Sequence, residues 1–407
     1  MDTSLYLSKK QVRSKVEFKI SGSKSISNRL LILCALYPNQ IEIQNLSDAE
    51  DTLLLQQALN ENSDFIDIHH AGTAMRFLTA FFACSEGREV LLTGSDRMKQ
   101  RPVGILADAL NSMGAKIEYA EKNGFPPLKI TGTGQLKNTV ELSAAVSSQY
   151  ISSLMLIAPQ LKNGLNIKLT DKITSEPYIE MTAELLRKMG VSLAVVQNEI
   201  RVKPLDKLKK ISFEVESDYS SLSYFYSLAA LSEGSEFRIE SFKPDSIQGD
   251  KAVAEIYSKY FGVESHFEEK RIVIRKKVDF QPVDFELNLN DTPDLAQTIA
   301  VSAAALKIKC RLNGLATLKI KETDRLTALY NELGKIGTKS IISSDSIELY
   351  GFSEPENSLF IKTYNDHRMA MAFAPLRVLT DLEIENPKVV EKSYPNFWAD
   401  FEKCFLD

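Results

Sequence analysis

Six times in 407 residues, a turn rich in Ser, Thr, Asn, Asp or Gly runs into a nearly all-apolar helical stretch. The turns open at Ser21 (SGSKSISNRLLILCAL), His70 (HAGTAMRFLTAFFA), Ser147 (SSQYISSLMLIA), Ser217 (SDYSSLSYFYSLAAL), Asn290 (NDTPDLAQTIAVSAAAL) and Asn365 (NDHRMAMAFAPLRVL). After the first pair they recur at intervals of about 70 to 77 residues, too regular for chance and too long for a solenoid. A chain patterned this way must bury six helices.

A second helix type alternates with the first and is more amphipathic: RPVGILADALNSMGAKIEY, EPYIEMTAELLRKMGVSLAVV, DKAVAEIYSKYFGVESHF and DRLTALYNELGKIGTKSII. Each closes on a glycine (Gly114, Gly190, Gly262 or Gly337) that reads as a left-handed C-cap, and the alternation after it predicts a strand. Every repeat therefore holds strands, one buried helix and one half-exposed helix. Six repeats overfill one core, whereas two sets of three, with helices inside and sheets around them, bury the apolar type simply. Without a Pro/Gly/Ser-rich linker, repeat counting puts the division at residues 210–216, where KLKKISFEVES leads into the fourth repeat.

Composition narrows the function. The first fourteen residues, MDTSLYLSKKQVRS, lack the apolar core of a signal peptide, and the apolar block Leu30–Leu36 is far short of a membrane span. Cys34, Cys84, Cys310 and Cys404 stand far apart, and the four histidines show no ligand spacing. Neither a disulfide framework nor a metal is expected, and a reducing cytoplasm fits. A net charge of −5 with no basic stripe argues against nucleic acid as a partner. Cations that serve a ligand must therefore be gathered locally.

They are gathered at helix starts. N-capping, worth roughly 1 kcal/mol each, accounts for the Ser, Asn and Asp found there. It does not account for Lys24, Arg29, Arg76 and Arg368, which oppose the helix dipole unless an anion lies between. SGSKSISNR resembles a phosphate-binding loop but lacks the GxxxxGK[ST] spacing, so a nucleotide triphosphatase is disfavoured. HAGTAMR likewise offers the amides of Gly72 and Thr73 beside Arg76.

SGSKSISNR, AGTAMR, RMKQRP, SSQY, SEPY, KETDRL, NDHRMAMAF and NPKVVEKSYPNF stand in an order that resembles the 5-enolpyruvylshikimate-3-phosphate synthases, from Ser21 to Phe397. The resemblance implies an α/β (α+β) fold of two similar domains, each of three βαβαββ-type repeats with buried helices, an inside-out α/β barrel. Helix N-termini would face an active site in the interdomain cleft. The first strand would return to the C-terminal domain, giving domains at 22–216 and at 1–21 plus 217–407. The implied reaction moves the enolpyruvyl group of phosphoenolpyruvate to the 5-hydroxyl of shikimate 3-phosphate. It uses no cofactor, and a monomer is expected.

By the same resemblance Lys24, Ser25, Arg29, Ser147, Ser148, Gln149, Ser175, Tyr178, Asp294 and Lys321 would hold shikimate 3-phosphate. Lys24, Gly72, Arg101, Gln149, Arg325, Arg368 and Lys392 would surround phosphoenolpyruvate, where the guanidinium fork suits carboxylate and phosphate. Asp294 would be the base for the 5-hydroxyl, although its place before an apolar helix also suits an N-cap. Glu322 and Lys24 would move protons to and from the enol carbon, with either one the donor to the methylene. The related enolpyruvyl transfer to UDP-N-acetylglucosamine is disfavoured because it uses a loop cysteine, whereas Cys84 ends an apolar helix.

Three positions depart from the pattern: His70 where Asn is common, Phe77 where Pro is frequent, and Thr317 where some members carry a ligand-binding Asn. His70 and Phe77 should alter the response to phosphoenolpyruvate-mimicking inhibitors. Glyphosate inhibition of the wild type and of Phe77→Pro is therefore expected to differ; superimposable curves would dismiss the idea.

Overall fold

The computed structural model describes residues 3–145, 147–353 and 359–407. The chain forms two compact units, Ser23–Val215 and a discontinuous one that joins the residues up to Gly22 to Glu216–Asp407.

The first unit holds α1 (Lys24–Leu36), α2 (Glu50–Asn60), α3 (Gly72–Ala83), α4 (Gly104–Ser112), α5 (Ser148–Ile157) and α6 (Glu176–Lys188). In the second are α7 (Tyr219–Ala230), α8 (Val253–Tyr260), α9 (Ala296–Ala305), α10 (Arg325–Lys335), α11 (His367–Phe373) and α12 (Phe397–Glu402). The two helix types separate as their hydrophobic patterns require. In α7 every residue except Ser220 is buried, and α11 is buried along its whole length. In α6 and α10 burial is confined to one stripe. The three apolar helices of each unit touch one another: α1, α3 and α5 in one, α7, α9 and α11 in the other.

Small hydroxyl residues let these inner helices approach closely. Ser223 and Thr298 meet at 3.2 Å, and the Ser302 hydroxyl donates to Ser227 at 2.8 Å, so the polar atoms between α7 and α9 satisfy one another.

Four four-stranded sheets repeat one topology. Phe65–Asp67 and Glu89–Thr93 run parallel across α3, and a hairpin of Lys116–Tyr119 with Leu128–Thr131 follows α4. Thr139–Ser143, Leu165–Thr170, Leu193–Val196 and Glu199–Val202 repeat that βαβαββ order. So do Phe285–Asn288, Cys310–Asn313, Thr338–Ile342 and Ile347–Phe352. The fourth sheet borrows its first strand: Lys15–Lys19 pairs in parallel with Glu236–Glu240. Gly114, Gly190, Gly262 and Gly337 all adopt positive φ, as the C-cap reading requires.

Aromatic packing ties both ends of the chain into the second unit. Phe18 of the borrowed strand lies 4.6 Å from Phe225 of α7, which meets Phe397 of α12 at 6.3 Å. Phe225→Ala is expected to cost about 3–5 kcal/mol, as for a buried aromatic with little room to collapse. Urea unfolding of the variant and the wild type measures it.

Candidate functional site

Each unit carries its own set of charged residues at helix starts. In the second unit Arg325 opens α10, a place where the helix dipole disfavours a cation, and only 2% of the residue is exposed. Three carboxylates offset both costs. Arg325 Nε donates to Asp366 Oδ2 at 2.6 Å, Nη1 to Asp294 Oδ1 at 3.0 Å and Nη2 to Glu322 Oε2 at 2.7 Å. Burial would lower the Arg325 pKa, but Asp366, Glu322 and Asp294 outweigh it and raise it.

Two of these carboxylates are shared further. Asp294 Oδ2 accepts from Arg368 Nη2 at 2.7 Å, and Lys321 Nζ stands 3.8 Å from Oδ1. The other Glu322 oxygen lies 3.6 Å from Lys392 Nζ, and Lys392 is buried in the turn Pro387–Lys392. Asp366 caps α11 by accepting the Arg368 backbone N–H at 2.9 Å, so it orients two arginines at once. Asp294, Lys321, Glu322, Arg325, Arg368 and Lys392, drawn from four stretches of sequence, thus form one network. Its four cations, Lys321, Arg325, Arg368 and Lys392, face Asp294, Glu322 and Asp366, and Asp250 bears on Arg368 as well.

Asp294 is not an N-cap: it lies in a 3₁₀ turn, and α9 has no side-chain cap. Its side chain keeps 19% exposure. Burial would raise its pKa, yet Arg368, Lys321 and Arg325 together hold it well below the usual carboxylate range. Asp250, whose carboxylate accepts from the Ser220 hydroxyl, shows the opposite balance. Burial and the Asp294 charge push it up to about 6 against the pull of Arg368.

The first unit assembles neutral and cationic groups. Lys24, at the start of α1, pairs with Asp51 of α2 at 3.1 Å. Arg29 donates to the carbonyls of Ser25 and Tyr178 at 2.9 and 3.0 Å and to the hydroxyls of Thr182 and Ser152 at 2.7 and 3.1 Å. The Arg101 guanidinium lies against Gly72, where an added Cβ would meet Nη1 at 2.5 Å; any side chain at 72 would displace it. Arg76 holds the same corner by donating to Gly72 O at 3.1 Å and Pro102 O at 2.8 Å. Gln149 Nε2 donates to Thr73 Oγ1 at 3.0 Å.

Ser147 accepts the Gln149 amide as N-cap of α5, and Ser148 is buried beside it. Ser175 precedes α6 at φ +55° and makes no side-chain cap. Thr317 sits half-buried on the short turn Ala316–Ile320, while His70 meets Glu50 at 3.0 Å. Burial pushes the Cys84 thiol up to about 12, far from the reactivity a loop nucleophile needs. Asp51, Asp250, Ser152 and Thr182 escaped sequence reasoning. Asp51 alone left a trace, as an acid in the first turn of α2.

The fold is that of the enolpyruvyl-transfer enzymes. EPSP synthase from Acinetobacter baumannii superposes with a TM-score of 0.77 at 21% identity, over 99% of this chain and 98% of that one. A family model described as EPSP synthase (3-phosphoshikimate 1-carboxyvinyltransferase) matches residues 8–63 and 55–401. A 3-phosphoshikimate 1-carboxyvinyltransferase from Bacteroides fragilis is 42% identical over 405 residues, 98% of this chain and 97% of that protein. One from Colwellia psychrerythraea is 34% identical, over 94% and 95% of the two chains. The chain belongs to the EPSP synthase family.

The depressed pKa of Asp294 has a consequence for stability. Unfolded aspartate titrates near about 3.9, so Asp294 contributes stability that is present above about pH 4 and lost as pH falls through its lower folded value. Asp294→Asn is expected to be less stable than wild type at neutral pH. The deficit should shrink progressively below about pH 4 in urea titrations at a series of pH values.

Proposed function

We propose that this protein transfers the enolpyruvyl group of phosphoenolpyruvate to the 5-hydroxyl of shikimate 3-phosphate, releasing phosphate. The observation that carries the reading is the Asp294–Arg325–Arg368 network with Glu322 and Lys392 attached, in a chain of this family.

Addition comes first. The 5-oxygen bonds to C2 of phosphoenolpyruvate, its proton passes to Asp294, and the methylene carbon gains a proton from Glu322 or Lys24. A tetrahedral ketal phosphate results. Elimination reverses the carbon protonation: a methyl proton leaves, the C2–phosphate bond breaks, and the enolpyruvyl ether remains. Neither step needs an external oxidant or reductant, so acid–base groups and cations supply the catalysis.

Asp294 must gain basicity to serve, since a base works best near the operating pH. The cations that hold it ionised are those assigned to the substrates. When the phosphate and carboxylate of phosphoenolpyruvate occupy Arg325 and Arg368, their grip on Asp294 relaxes and its proton affinity rises. Lys321 remains to align the shikimate side. Arg101 against Gly72, with Lys24 and Gln149, would hold the phosphoenolpyruvate anion, and Lys392 would share it. Ser25, Arg29, Ser147, Ser148, Ser175 and Tyr178 would hold shikimate 3-phosphate.

Cys310 and Cys404 are buried free thiols, which supports a reducing, cytoplasmic setting. Asp294→Ala is expected to bind shikimate 3-phosphate by calorimetry yet lose about 10²–10⁴ of its turnover in a coupled phosphate-release assay. Near-normal turnover would move the base elsewhere.

A further inference from the structure

Phe77 stands where the family pattern has Pro, and here α3 runs unbroken through it. It is 1% exposed, and its ring centroid lies 5.4 Å from Arg29 Cζ. That arginine is unlike Arg325. Both are 2% exposed, but the partners of Arg29 among the described residues are all neutral: two hydroxyls and two backbone carbonyls. Burial without a carboxylate penalises the cation and pushes its pKa down to about 10.

The four bonds use four of the five guanidinium N–H groups. The fifth lies on Nη1, the nitrogen that reaches Ser25 in the first turn of α1. Against Phe77 the cation meets the negative face of the ring quadrupole. That contact favours the charge without cancelling it, as a carboxylate would, so the guanidinium keeps its attraction for an incoming anion. Leucine or proline at 77 would fill space but supply no such face.

We propose that Phe77 is a positioning residue that seats Arg29 against its ring face, charged and unneutralised, and so sets affinity for the anionic shikimate 3-phosphate. The inference rests on the reading of Arg29 as a ligand of that substrate. It moves Phe77 from the phosphoenolpyruvate side, where its sequence position suggests it acts, to the other substrate.

Calorimetric titration with shikimate 3-phosphate tests it on the wild type, Phe77→Leu, Arg29→Lys and protein carrying mono-, di- or trifluorinated phenylalanine at 77. Phe77→Leu is expected to bind on the order of ten-fold more weakly. Affinity should fall stepwise with each fluorine, which changes the quadrupole and hardly the shape, while the KM for phosphoenolpyruvate stays put. If Arg29→Lys binds like wild type, the reading of Arg29 as a ligand fails. If Arg29→Lys is weak but the fluorine series is flat, or both substrates lose affinity equally, the role of Phe77 is overturned and the ligand reading stands. The fluorine series needs no folded Leu variant.

Discussion

A guanidinium buried at a helix N-terminus governs the second unit. Arg325 could not occupy that place alone, since desolvation and the dipole of α10 both oppose it. Asp294, Glu322 and Asp366 make it tenable, and each is drawn from a different segment. The segments that precede α9, precede α10 and cap α11 are thereby held to one point. The residues proposed for the chemistry are thus the same ones that clamp these segments together.

The first unit solves the opposite problem. Its key arginine is surrounded by hydroxyls and carbonyls, and its lysine has a single carboxylate, Asp51. One unit therefore pairs its buried arginine with carboxylates, and the other surrounds its own with neutral oxygens. The difference follows from the residues at the helix starts: Ser and Gly open α1, α3 and α5, whereas Asp accompanies α7, α9 and α11.

Much of this architecture is legible in the residues because its causes are local. A nearly all-apolar run such as QTIAVSAAAL reads as an interior helix, and the glycine after α4, α6 or α8 marks where the chain must turn left-handed. The six members of the Arg325 network were each named from motif resemblance, and the fold brings them together. What could not be read is long-range pairing. Thr182 lies 153 residues from Arg29, and Asp250 bears on Arg368 from another repeat. No periodicity reports such meetings. Asp294 shows the limit from the other side: its type and position fit an N-cap, yet it lies in a 3₁₀ turn among three cations that no local pattern announced.

The borrowed strand imposes an order on biosynthesis. Lys15–Lys19 leaves the ribosome first, yet its neighbour Glu236–Glu240 follows only after the whole unit Ser23–Val215 has been made. Ser4–Leu7 waits longer still, for Leu382–Glu385 near the other end. The nascent chain thus carries two unpaired strand edges while an entire neighbouring unit can already be complete, the state in which edge-to-edge association between chains is most available. Lys9, Lys10 and Arg13 between the two strands, with Lys15 and Lys19 in the second, outweigh Glu17 and put net positive charge along that waiting segment. Vectorial synthesis gives those charges a use that the finished fold no longer needs.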